Sequence, residues 1–149
     1  MSDPDLGALT ALRRLRKVET DAARRDLGEA VTQEIALAAR DAAMGRELDE
    51  ARRHSGDFDR EAFAAWFGRM RGERARLADV MRDAAARTAT ARTALANRRV
   101  AETAADEALA NALAARDAAV ARREQVMLED VARALKRAAG GGPTRDVPE

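Results

Sequence analysis

His54-Ser55-Gly56-Asp57 interrupts a chain that otherwise reads as helix almost from end to end. Gly56 supplies backbone freedom for a turn, and Ser55 or Asp57 can cap a following helix that carries Asp59 and Glu61 in its first turn. Working outward, the three prolines, Pro4, Pro143 and Pro148, all lie at the ends of the chain, so this helix breaker is absent from the long interior. Ser2-Asp3-Pro4-Asp5 reads as a helix start, with a Ser or Asp cap, proline in the first turn and an acid at the positive end of the dipole. Lys136 and Arg137 suit a last turn, which Gly140-Gly141-Gly142-Pro143 ends. The expected layout is helix 1 over about 5–53, a turn at 54–57 and helix 2 over about 58–138. These form one domain, 1–139, followed by a flexible tail, 140–149.

Composition narrows how two such helices can pack. Apolar residues make up 46% of the 149, yet most are alanine, and aromatics are only 3%. A buried alanine removes little apolar surface from water, so a narrow seam between helices is favoured over a thick core. Charged residues are 36% of the chain, against roughly 25% in an average globular domain, which is the composition of long helices and coiled coils. Disorder is the rival reading of such a composition, and apolar periodicity opposes it. Leu27, Val31, Ile35, Ala38 and Ala42 form a stripe on helix 1 that Leu9, Leu12 and Leu15 begin. On helix 2, Phe63, Phe67, Met70, Leu77, Met81, Ala84, Ala91 and Leu95 recur at spacings of three, four or seven, short of a strict heptad. Asp21/Arg25, Asp49/Arg53, Asp83/Arg87 and Glu129/Arg133 are expected as i,i+4 ion pairs on the outer faces.

The fold class expected is therefore all-α: a long two-helix antiparallel coiled-coil hairpin with helix 2 longer than helix 1. A fold line at residues 55–56 sets Leu48 near Phe63, Met44 near Phe67 and Leu12 near Arg99, so helix 1 runs out of partner at about residue 105. The thirty-odd remaining residues of helix 2 would project by ~50 Å. That arm carries its own apolar stripe, Leu109, Leu113, Val120, Met127, Val131 and Leu135, with Leu128 beside it. A lone helix gains little by leaving such a stripe in water, so the arm is expected to take a partner. The alternative is a three-helix fold that breaks within 87–99, where Thr88, Thr90, Thr93 and Asn97 lower helix propensity.

Reactive chemistry finds little footing. No catalytic residue, cofactor or metal is expected: His54 is the only histidine, there are no cysteines, and no phosphate-binding glycine loop occurs. A net charge of +1 is no footprint of a nucleic-acid binder. Uncharged runs such as 108–115 are far short of the ~20 residues of a membrane span, and the acidic start lacks a signal-peptide pattern, so a cytoplasmic protein is expected. Two features point instead to protein contacts. Phe58, Phe63, Trp66 and Phe67 fall together just past the turn, with Met70 extending their face. They either close the hairpin tip, Phe58 acting as a hydrophobic staple, or offer an anchor patch. The run Arg13-Arg14-Leu15-Arg16-Lys17 is a solvated face or a docking site for an acidic surface.

Leu9-x-x-Leu12-x-x-Leu15-Arg16 leading to Glu19-x-x-Ala22, a short mid-chain turn, Phe63-Ala-Ala-Trp-Phe67-Gly-Arg-Met70, and a long Ala/Arg-rich helix ending Arg122-Arg123-Glu124-Gln125 form a set. Together they resemble the flagellar export protein FliJ family and the related YscO-like stalk proteins of type III secretion. The likeness spans roughly residues 6–138. It implies a non-enzymatic stalk, an antiparallel coiled coil whose open end enters the ring of an export ATPase and whose hairpin contacts the export gate and substrate chaperones. By position, the gate-facing surface would comprise Leu37, Asp41, Met44, Leu48, Phe63, Trp66, Phe67, Met70 and Arg74. The ATPase end would comprise Arg13, Arg14, Arg16 and Lys17 with Val120, Met127, Val131 and Leu135 of the arm. The implied association with a membrane is peripheral, through the apparatus. The competing readings are a coiled-coil scaffold or homodimer unrelated to secretion, and nucleic-acid binding through Arg98-Arg99 and Arg122-Arg123.

Overall fold

Two helices account for nearly all of the computed structural model, which describes residues 3–57 and 59–140. Helix α1 runs Asp3–Arg53 and helix α2 runs Arg60–Gly140, joined through a single 3-10 turn, Ser55–Asp57. No strand occurs among the described residues. The fold is an all-α antiparallel helical hairpin whose second helix is the longer. The expected cap at Ser2 or Asp3, the Phe58 staple and the tail over 141–149 lie outside the residues, or side chains, that the structure describes.

The turn differs from expectation in detail. The His54 amide donates to Glu50 O (3.2 Å) and the Asp57 amide to His54 O (3.0 Å), which carries the chain out of α1. Asp59 then caps α2, its Oδ2 accepting from the Ala62 amide at 3.0 Å, in place of Ser55 or Asp57. No described glycine adopts a positive φ, so Gly56 is not used for left-handed backbone; the 3-10 turn needs none. Helix α2 consequently starts at Arg60, two residues later than expected.

Contacts divide the chain into two units, one of residues 14–103 and one of residues up to Arg13 with those from Ala104 onward. In the first, the two helices are zipped by a strict heptad. On α1 the buried or half-buried row is Arg16, Thr20, Ala23, Leu27, Ala30, Glu34, Leu37, Asp41, Met44, Leu48 and Ala51, at alternating spacings of four and three. On α2 it is Phe63, Phe67, Met70, Arg74, Leu77, Met81, Ala84, Thr88, Ala91 and Leu95. The stripe expected on α1 is thus corrected: Ile35 is 65% exposed, and Ala38 and Ala42 face water. Successive spacings of four advance about 40° per step and walk off the seam, whereas alternating three and four stays on it. Leu12 and Leu15 are exposed as well, because spacings of three from Leu9 fall back about 60° per step and leave the seam on its other side.

Polar residues inside the seam set its register. Arg74 grips Asp41 with two hydrogen bonds, Nε to Oδ1 at 2.7 Å and Nη2 to Oδ2 at 3.1 Å. Glu19 holds Arg16 on its own helix (2.9 Å) and Arg98 on the other (3.2 Å). The expected fold line would have set Asp41 opposite Met70; the observed partner lies about one turn further along, because the connection consumes residues up to 59. Threonines in the middle of α2 do not break it. Thr90 and Thr93 return their hydroxyls to Ala86 O (3.0 Å) and Ala89 O (3.2 Å), so α2 is one helix and the three-helix alternative is excluded.

On the outer faces ion pairs form at i,i+3: Asp21 with Arg24, Asp49 with Arg52, Asp79 with Arg82. Of the expected i,i+4 pairs, Glu129 with Arg133 forms, at 3.5 Å.

In the second unit, Leu6, Ala105 and Ala112 are buried, Leu9 and Leu109 are half-buried, and Arg13 meets Asp106 at 2.6 Å. The seam therefore continues past residue 105, and half-burial last occurs at Ala119. From Val120 to Gly140 every residue is exposed. The unaccompanied part of α2 is thus shorter than expected, ~30 Å at the helical rise.

Candidate functional site

Two regions carry the residues singled out from the sequence, the tip beside the turn and the C-terminal arm. At the tip, i,i+3 and i,i+4 spacing gathers Phe63, Trp66 and Phe67 on one side of α2. The Phe63 and Trp66 rings lie 6.1 Å apart at 37°, and those of Phe63 and Phe67 5.8 Å apart at 28°. Arg52 of α1 places its guanidinium 4.9 Å from the Phe67 ring centre, a cation–π contact that ties the helices across the tip. All three aromatics and Met70 are half-buried, so each divides its surface between seam and water. Beside Trp66, a shallow depression of about 480 Å³ is lined by Glu47, Glu50, Ala51 and His54.

The other expected tip residues separate into kinds. Met44 and Leu48 are core, 8% and 4% exposed, and reach a partner only if the helices part. Leu37 is half-buried at the edge of an open groove of about 410 Å³ with Arg40, Glu73, Arg76, Leu77 and Val80. Asp41 and Arg74 are committed to each other. The hydrogen bond from Arg74 holds the Asp41 carboxyl below its ordinary value, and the same bond holds the Arg74 guanidinium above its own. This pair acts as a clasp in the seam.

The basic N-terminal run is likewise divided. Arg13 and Arg16 are engaged by Asp106 and Glu19, while Arg14 and Lys17 stand exposed.

Along the arm the large apolar side chains are all exposed. Val120 is 45% exposed, Met127 68%, Val131 57% and Leu135 66%, joined by Leu128 at 70%. Its ion pairs, Arg133 with Glu129 and Asp130, and the Gln125–Glu129 hydrogen bond lie off this stripe. Sequence reading missed two residues on the stripe itself, Asp117 and Glu124. They interrupt the apolar letters and disappear from a search for hydrophobic periodicity, although their spacing places them in the same row.

Among the described residues no three His, Cys, Asp or Glu side chains converge as a metal site would require, and no helix is long and apolar enough to cross a membrane. Comparison with protein-family models, curated proteins and solved structures returns no match to this chain.

Proposed function

We propose that this chain is a non-enzymatic stalk or adaptor of a flagellar-type (type III) protein-export apparatus, acting at the cytoplasmic side through protein contacts. The arm, with the basic turns around Arg14 and Lys17, engages an export ATPase ring; the aromatic tip engages the export gate or substrate chaperones. One observation supports this reading above the others: residues 120–140 continue as helix with an apolar stripe wholly in water. A contiguous exposed apolar face on a polar helix is the mark of a docking surface. The family likeness of the Leu9–Ala22 and Phe63–Met70 segments adds the choice of partner.

The test is co-purification with the cognate export ATPase. Wild type is expected to bind the ATPase and stimulate its turnover, and the triple change Met127→Ser, Val131→Ser, Leu135→Ser is expected to abolish both while leaving helicity intact. No binding by the wild type overturns the proposal. A stable dimer of the wild type in sedimentation, dissociated by the same triple change, would establish the scaffold reading in its place.

A further inference from the structure

The arm's apolar face is not a bare continuation of the seam. Its row runs Leu113, Asp117, Val120, Glu124, Met127, Val131, at alternating spacings of four and three. The intramolecular seam at this height uses Leu109, Ala112 and Ala119, each one residue earlier in phase, which is about 100° around the helix. Asp117 and Glu124 thus sit in the centre line of an otherwise apolar face, one heptad apart, or ~10 Å along the axis. Both are exposed, and neither makes an ion pair with another described residue. Covering this face with an apolar surface alone would strip water from two carboxylates without compensation, which is costly.

Resting on the reading that the arm is a docking element, we propose that its partner is a helix of another protein carrying medium-sized apolar side chains and two basic residues spaced about one heptad apart, which pair with Asp117 and Glu124. Charge complementarity argues for this occupant and against a second copy of the chain. A parallel copy would set Asp117 against Asp117 and Glu124 against Glu124. An antiparallel copy centred on this row would set Glu124 against Val120 and Asp117 against Met127, with no cation in the row. Basic residues at the partner's facing positions satisfy both carboxylates and fix which helix is accepted and in which register.

The experiment titrates the full chain into two labelled synthetic helices of about four heptads. The probes share one leucine-based apolar face and differ only in carrying Lys or Glu at the two facing positions. The lysine peptide is expected to bind roughly tenfold tighter or better at low salt, with the preference shrinking as salt rises. The double variant Asp117→Lys, Glu124→Lys, with its helicity checked by circular dichroism, is expected to reverse the preference. Equal binding of both peptides overturns this proposal and leaves the docking arm standing. Binding of neither removes the docking arm, and this proposal with it. Self-association of the full chain that the double variant strengthens or leaves unchanged also overturns it.

Discussion

Thr88→Val should make the hairpin more stable, an unusual direction for a substitution at a buried position. Thr88 is 1% exposed and its hydroxyl oxygen is buried with no hydrogen-bond partner. Threonine in a helix normally returns its hydroxyl to the carbonyl four residues back, as Thr20 does to Arg16 O at 3.0 Å and Thr10 to Leu6 O at 2.8 Å. A buried hydroxyl left unpaired costs about 1–3 kcal/mol. Valine matches threonine in shape and closely in helix propensity, and exchanges the hydroxyl for a methyl that packs in the seam. The expected gain is about 1–2 kcal/mol, which for a chain of this size raises the melting temperature by ~2–8 °C. Thr20→Val is the matched control. Thr20 is equally buried at 0% exposure, but its hydroxyl is satisfied, so the change removes a hydrogen bond as well as a hydroxyl and should be neutral or destabilising by up to about 1 kcal/mol. Thermal and urea unfolding followed at 222 nm would measure both. If Thr88→Val melts at or below wild type, or if the two variants shift alike, the reasoning fails.

Asp41 should make stability fall in acid. Its folded pKa is lowered below 3.8 by the Arg74 hydrogen bond, so its contribution is complete above that value and lost as pH drops through the folded pKa. Melting curves between pH 6 and 2 should show a drop that Asp41→Asn flattens, the variant already lacking that contribution at neutrality. Phe63→Ala should shift the emission of Trp66, the single tryptophan, to longer wavelength, because the neighbouring ring 6.1 Å away is lost. For a half-buried phenylalanine it should also cost about 1–2 kcal/mol, below the 3–5 of a fully buried one. Truncation after Ala119 should remove helical signal in proportion to length, yet move the melting temperature by less than about 2 °C. The residues removed up to Gly140 are all exposed.

Hairpin class, the turn and the inequality of the helices were legible because each is written in strong local chemistry: no interior proline, one Ser-Gly-Asp interruption, glycines closing the far end. The register was not legible, since it depends on how many residues the connection consumes, and Asp59 rather than Asp57 proved to be the cap. Nor was the seam on α1. Arg16, Thr20, Glu34 and Asp41 occupy heptad positions where an apolar search sees gaps, and it was drawn to Ile35 instead. In a seam this thin the polar members are tolerable because the helices touch along one narrow line, leaving arginine and glutamate heads free to reach water or one another while their stems cover the alanines. At the tip, Phe63 and Phe67 were legible as seam residues from their spacing, but Asp41 and Arg74 were not legible as a pair joined across it. No linear pattern distinguishes a carboxylate that awaits a partner from one already held at 2.7 Å by the facing helix.

The polar seam and the apolar arm follow from one choice of phase. Along the paired region most large side chains of α2 lie on the row that α1 covers, with register fixed by Asp41–Arg74, and the outward rows are mostly small or charged with scattered exceptions such as Val80 and Val100. At Leu109 and Leu113 two successive spacings of four move the large residues onto the neighbouring row. A longer α1 following the same heptad would therefore cover Ala119, Arg123 and Val126, and would leave Met127 and Val131 in water as they are now. The stripe is thus not what remains when a hairpin partner stops short. It is aimed at a surface that α1 does not supply, and the two carboxylates in its centre specify that this surface brings positive charge.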